Sequence, residues 1–203
     1  ANPAEKKAAA VALGKIDDPS VSRQALEALA EENAAPASTI GALRGLGLLA
    51  QKESLDTALG LIGSENEEIM IHAYWLIRQI DAPEARPVIK EKIAANPTGK
   101  ERCAAYDTFK MLATADDVMW ARREFQLIDP KHTETDGFES VVWTDLDETK
   151  HYLLYGDSYR EKLVKIVANA DAFNQKDWFQ VLVNDPELPF RVRPVGSAGL
   201  RQI

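Results

Sequence analysis

The chain is poor in the residues that most often build covalent frameworks and metal centres. Its 203 residues include one cysteine, and three of them are histidines. A single cysteine excludes an intrachain disulfide framework, a cysteine-based zinc cluster and a covalent haem motif. The chain also lacks an apolar run approaching the ~20 residues that a membrane-spanning helix needs. We therefore expect no membrane insertion, no metal, no cofactor and no catalytic residue.

Positive charge is also in deficit. Lys and Arg number 24 against 32 Asp and Glu, so the net charge is −8. This balance argues against nucleic acid as a partner, because phosphate backbones are normally bound by a basic face. It gives no support to docking on anionic membranes. Hydrophobic residues make up 45% of the chain, which is enough for a folded core.

A short helical phrase occurs near the start of the chain, in its middle and at its end. Ile16 and Ile80 each precede Asp-x-Pro and are 64 residues apart, which is two periods of 32. Leu200–Ile203 repeats the pattern of Ile77–Ile80. A period in the low thirties is typical of repeats that contain two helices each.

Helix-start signals give a second measure of the period. In a capping box, the side chain of a Ser or Thr accepts from the backbone N–H of an acidic residue three positions later, and the acidic side chain accepts from the backbone N–H of the Ser or Thr. Three such boxes are predicted: Ser64 with Glu67, Thr98 with Glu101, and Ser158 with Glu161. The second gap between these boxes holds one repeat plus roughly 27 further residues. We assign this excess to an insertion over Lys131–Asp157.

The spacing predicts four helix pairs in residues 1–130, an insertion at 131–157, and one pair plus an unpaired helix in 158–203. The predicted helices are 5–16, 20–32, 38–50, 55–62, 65–80, 84–95, 99–112, 115–128, 159–170, 175–184 and 190–203. Asp18 is the predicted N-cap of the second helix and Pro19 its first residue. Under this alignment Asp107 takes the position that Ala73 and Val167 hold in their repeats.

These phrases resemble a known repeat family. The segments "AVALGKI", "DDPSVSRQALEAL" and "DPELPFRVRPVGSAGLRQI" are similar to HEAT-type repeats, especially the short bacterial kind described from phycobilisome-lyase-like proteins. The resemblance covers most of the chain outside the insertion. It implies an all-α fold, an α-α superhelix, and says little about function because such solenoids serve many roles.

The insertion interrupts the helical pattern. Phe138–Trp143 and Lys150–Tyr155 are rich in β-branched and aromatic residues and flank a polar turn, which favours a β-hairpin. A short helix from Asp145 is the alternative. The acidic stretch lacks the Gly and terminal Glu of a calcium loop, so we interpret it as solvated.

Isolated reactive side chains are interpreted as packing residues. His132 and His151 flank the insertion with Glu134 as a third candidate ligand, yet nothing in the sequence makes them converge on a metal. His72 lies among apolar residues, and Cys103 stands alone near the start of a predicted helix. The glycines of "GALRGLGLL" lack the context of a phosphate loop and indicate close helix packing.

A basic and aromatic set marks the candidate partner-binding surface. The second helices of such repeats usually line the concave face, and Arg86, Lys90, Arg122 and Arg123 fall there, with Trp120 nearby and Trp75 partly off the core stripe of its own helix. Arg and Trp are enriched where interfaces carry their binding energy. The competing interpretation places both tryptophans in the core and the cations in solvent.

The sequence favours a non-enzymatic protein-binding or scaffold module. The alternatives are a structural spacer within a larger protein and a lyase-like enzyme acting on a bound chromophore. The unpaired last helix is expected to be covered by a partner or by further sequence. The start "ANPAEKK" lacks Met, which fits either a mature end left by signal-peptide removal or an artificial boundary of the sequence. The compartment is therefore left open, with a weak preference for export to the periplasm or the exterior over the cytoplasm.

Overall fold

Helices dominate the protein. A computed structural model describes residues 2–16, 19–31, 35–95, 99–128, 141–144, 150–153 and 159–185. Ten α-helices run through these ranges: α1 Pro3–Leu13, α2 Pro19–Glu31, α3 Pro36–Leu49, α4 Leu55–Leu61, α5 Glu67–Gln79, α6 Arg86–Ala94, α7 Gly99–Leu112, α8 Val118–Leu127, α9 Tyr159–Asp171 and α10 Lys176–Asn184. The predicted all-α class is confirmed.

Each of these helices coincides, to within a few residues at either end, with a helix predicted from the sequence. Pro19 is the first residue of α2, as predicted. The predicted helix at 190–203 lies outside the described residues, and so do the predicted caps Asp18, Thr98 and Ser158.

Two short strands lie within the segment assigned to the insertion. β1 (Val141–Thr144) and β2 (Lys150–Leu153) pair antiparallel, with Val141 opposite Leu153 and Thr144 opposite Lys150. Residues 145–149, which join them, are outside the described part of the chain, as are His132 and Glu134.

The chain divides into two compact units, Ala1–Thr108 and Phe109–Ile203, with the boundary inside α7. In the first unit α3 is the central helix, packed against α1, α2 and α5, while α4 lies against α5. Apolar residues that recur at helical spacing along α5 and its C-cap are all buried: Ile69, Ala73, Leu76, Ile77 and Ile80. Thr108 Oγ1 donates to the Tyr74 carbonyl at 3.2 Å, which ties α7 to α5 within this unit.

The second unit is built around the packing of α8 on α9. Its interior is aromatic: Phe125 and Trp178 meet edge to face with centroids 5.6 Å apart, and Trp178 also touches Phe179 at 5.4 Å. Arg160 lies over the Phe125 ring at 4.6 Å and its Nε donates to the Ile128 carbonyl. This guanidinium therefore fixes the end of α8 against α9.

A short 3₁₀ turn precedes every second helix from α4 onward. These turns are Lys52–Ser54, Pro83–Ala85, Ala115–Asp117 and Phe173–Gln175. Their starts are 31, 32 and 58 residues apart, so they give a structural register for the helix pairs. Positions that this register aligns are fully buried in all four pairs, for example Ala42, Ala73, Ala105 and Leu163, or Leu46, Ile77, Phe109 and Val167.

This register corrects the alignment of the fourth pair. Ala105, not Asp107, is the equivalent of Ala73, and Val167 is the equivalent of Phe109. The error arose from Ser64: α5 begins at Glu67 and α7 at Gly99, 32 residues later, so the 34-residue spacing from Ser64 to Thr98 placed the fourth pair two residues too late. Asp107 lies at the partly exposed edge of α7 rather than in its core stripe.

The predicted capping box of Ser64 and Glu67 is also wrong. The N-cap of α5 is Asn66, whose Oδ1 accepts from the backbone N–H groups of Glu68 at 3.1 Å and Ile69 at 3.2 Å. Ser64 Oγ instead accepts from the Asn66 N–H at 3.2 Å. Asn is as good a cap as Ser, and it lies directly before the first helical residue.

Candidate partner-binding surface

The six predicted surface residues are divided equally between the two units. Trp75, Arg86 and Lys90 belong to the first, and Trp120, Arg122 and Arg123 to the second.

In the first unit Trp75 is part of the helix packing. Its indole ring covers Gly47 of α3 so closely that a Cβ at Gly47 would collide with the ring carbons. The side chain is half-buried. Trp75 thus behaves as the competing interpretation expected, as a residue that fills the space between α3 and α5.

Arg86 and Lys90 lie four residues apart on α6 and so project from the same side of that helix. Both are partly exposed. Arg86 Nε donates to the Pro83 carbonyl at 3.1 Å, which holds the guanidinium stem at the 3₁₀ turn. On the buried side of the helix lie Ile89 and Ile93.

In the second unit Trp120 packs inward, and Arg123 is exposed. The Trp120 ring meets Phe109 edge to face with centroids 4.7 Å apart. Arg122 faces α10 and its preceding turn: Nη1 donates to Gln175 Oε1 at 3.0 Å, and the guanidinium carbon lies 5.5 Å from the centroid of the Trp178 ring. This spacing is that of a cation–π contact.

Trp178 is a member of this surface that the sequence reasoning missed. It is half-exposed, and it links the Arg122 guanidinium to the aromatic interior through Phe125. Trp178 lies five residues after the start of its 3₁₀ turn, as Trp120 does, and only the structure reveals this correspondence. The 3₁₀ turns themselves have no clear sequence marker.

The same register relates the cations. Lys90 and Arg122 each lie seven residues after the start of their 3₁₀ turn, so they hold one position in consecutive helix pairs. The corresponding residues of the flanking pairs are Leu59 and Gln180, which are uncharged. A cation at this position is thus a feature of the third and fourth pairs, α5–α6 and α7–α8.

Cys103 and His72, the reactive side chains considered above that lie in the described helices, are both buried in the helix packing. Cys103 is a buried thiol. His72 is buried, with Nδ1 2.7 Å from the Glu68 carbonyl. No three His, Cys, Asp or Glu side chains converge as metal ligands among the described residues. No helix in the described ranges is long and apolar enough to cross a bilayer.

Comparison with known proteins gives no further identification. The chain matches no protein-family model, and no curated protein is similar to it.

Proposed function

We propose that the chain is a HEAT-like α-solenoid module in which each unit binds a protein partner through a second helix, α6 in the first unit and α8 in the second. The observation that carries this proposal is the recurrence of a cation at one repeat position, Lys90 in the first unit and Arg122 in the second. Solenoids commonly bind through positions that recur from repeat to repeat.

The packing of the first unit supports the repeat architecture. Its first helices α1, α3 and α5 lie side by side, and two of its second helices contact neighbouring helices, α2 with α3 and α4, and α4 with α5. Such neighbour-to-neighbour packing is what stacked helix pairs produce. The 3₁₀ turns that start at Lys52, Pro83 and Ala115, 31 and 32 residues apart, support it independently.

The chemistry of the partner follows from the surface residues. The Arg122 guanidinium lies over the Trp178 ring. Arg and Trp are among the residues that most often dominate the binding energy of interfaces. In a chain of net charge −8, the cations of α6 and α8 are a local exception. We infer a partner that presents an acidic segment, guided to these cations by charge complementarity.

Charge reversal at the shared position tests this function. The partner recovered from the native source is purified and titrated against the wild type, against Lys90→Glu and against Arg122→Glu. Each variant is expected to weaken binding at least tenfold, which corresponds to about 1.4 kcal/mol. Lys52→Glu introduces the same charge change at an exposed lysine outside the surface and is expected to bind like the wild type.

The other functions give different results in the same experiment. A spacer would have no saturable partner, and a chromophore lyase would purify with a coloured ligand. Equal affinity for the wild type and both surface variants would refute the proposed binding surface.

A further inference from the structure

Two contacts align α8 with the segment that leads into α10 in the second unit. Arg122 Nη1 donates to Gln175 Oε1 at 3.0 Å, and the rings of Phe125 and Trp178 meet with their centroids 5.6 Å apart. Each contact joins residues that are 53 positions apart in the chain. The two segments therefore lie side by side and run in the same direction over this stretch.

The same alignment brings two exposed apolar side chains to one level. Met119 lies one helical turn before Arg122 on α8. At the offset of 53 positions, the residue opposite Met119 is Ala172, and Phe173 follows it directly. Met119 is 71% exposed and Phe173 is 72% exposed. Two large apolar side chains on neighbouring segments are therefore in solvent about one helical turn from Arg122.

The Arg122 guanidinium keeps hydrogen-bonding capacity for a ligand. A guanidinium carries five N–H donors, and its edge can bind a carboxylate through two parallel hydrogen bonds. Gln175 accepts from Nη1, and within the described residues this is the one hydrogen bond that the Arg122 side chain makes. The Trp178 ring contacts the guanidinium through its face. These two contacts orient the group while most of its donors stay available.

A single exposed apolar side chain is common on protein surfaces and has no meaning by itself. Leu127 is an example, because it is 68% exposed on α8 but lies five positions from Arg122, on a different side of the helix. Met119 and Phe173 differ from it in being paired beside a guanidinium that packs on Trp178. An arginine with aromatic and apolar neighbours is the composition that carries binding energy at interfaces.

We propose that this surface of the second unit binds an amphipathic helix of the partner, in which an Asp or Glu lies three or four positions from a large apolar residue. The carboxylate accepts from the edge of the Arg122 guanidinium, and the apolar side chain covers Met119 and Phe173. Side chains of a helix that lies along α8 recur at the same pitch, about 5.4 Å, as Met119 and Arg122 do. This inference rests on the proposed function, which requires an acidic segment, and adds the apolar residue and its spacing.

Peptide selection on the whole chain tests the proposal. Random peptides of about 15 residues, the length of about four helical turns, are displayed on phage, depleted on Arg122→Glu and then selected on the wild type. The enriched peptides are expected to share an acidic residue with a large apolar residue three or four positions away. A shared spacing of two positions, as on an extended strand, or the absence of any acidic and apolar pair would overturn the proposal.

Three serine variants then locate the apolar contact with a synthetic copy of the leading peptide. Met119→Ser and Phe173→Ser are each expected to weaken its binding about tenfold, because the peptide buries these side chains. Leu127→Ser is the matched control: it removes a similarly exposed apolar side chain of α8 and should bind the peptide as the wild type does.

The outcomes distinguish this inference from the proposed function. Peptides that require Arg122 but bind all three serine variants equally would refute the apolar contact and leave the proposed function intact. If no peptide survives depletion on Arg122→Glu, the proposed function of the second unit fails as well. Sedimentation of the wild type adds one further outcome: a dimer that Met119→Ser dissociates would assign this surface to a second copy of the chain and overturn the proposal.

Discussion

The burial of His72 makes the stability of the first unit depend on pH in a calculable way. The folded-state pKa of this side chain is lowered from 6.5 to about 4, chiefly by burial. An unfolded chain therefore binds more protons than the folded one between these two values. The stabilisation is fully present above pH 6.5, declines as the pH falls towards about 4, and reaches its limit below that.

The size of the effect follows from the same shift. A change of about 2.5 in pKa, at about 1.36 kcal/mol for each unit, gives a maximal loss of about 3 kcal/mol. A loss of this size is a large fraction of the free energy of unfolding of an ordinary domain. Little screening is expected, because the ring is 5% exposed.

The assay is urea unfolding of the wild type and of His72→Gln at a series of pH values, followed by amide exchange in α3 and α5. Glutamine is polar but does not titrate. The carboxylates that titrate below about pH 5 are common to both proteins and cancel in the difference. The wild type should lose about 3 kcal/mol more than the variant between about pH 7 and pH 4. A pH-independent difference between the two, or a His72 resonance that titrates near its ordinary pKa in the folded protein, would refute the reasoning.

Three further predictions concern the packing and caps of the first unit, each measured as the free energy of unfolding. Gly45→Ala should destabilise the unit by about 1–3 kcal/mol, because its Cβ would stand 2.6 Å from the Ala10 carbonyl oxygen. Gly60→Ala has open space around it and should stabilise the unit by about 0.5–1 kcal/mol. Equal effects of the two substitutions would contradict the close approach at Gly45. Asn66→Ala should cost about 1 kcal/mol through loss of the α5 cap and Ser64→Ala less, and the reverse order would restore Ser64 as the cap. Ala50 has φ of 50° at the C-cap of α3, so Ala50→Gly should stabilise by about 1 kcal/mol, and a loss of stability would contradict that geometry.

The sequence predicts those features of the fold that depend on residues within a single helix. The apolar spacing of α5 predicts its buried stripe, and Pro19 predicts the start of α2, because both depend on local geometry. The predicted cap of α5 was wrong because two good capping residues, Ser64 and Asn66, lie within three positions of each other. Only the position of the first helical residue of α5 shows which of the two is the cap.

The candidate surface was less predictable because its contacts join different helices. Arg122 and Trp178 are 56 residues apart, and no periodicity within α8 shows that a guanidinium will lie over a ring of α10. The 3₁₀ turns are equally hidden, since their first residues are Lys52, Pro83, Ala115 and Phe173. Only the register that these turns provide reveals that Lys90 and Arg122 share a position.

The glycines of α3 set how closely its neighbours pack in the first unit. Gly41 and Gly45 admit the α1 backbone, and Gly47 admits the ring of Trp75, so α3 is approached closely from both α1 and α5. Residues 38–47 of this helix are all buried, and a helix buried all round is normally apolar. Arg44 is the charged exception. A Cβ at Gly41 would stand 2.7 Å from the Lys7 Cα and 2.9 Å from the Lys7 carbonyl oxygen, so any side chain there would force α1 away from α3. The close packing that the sequence predicts from "GALRGLGLL" therefore depends on the absence of side chains at these three positions.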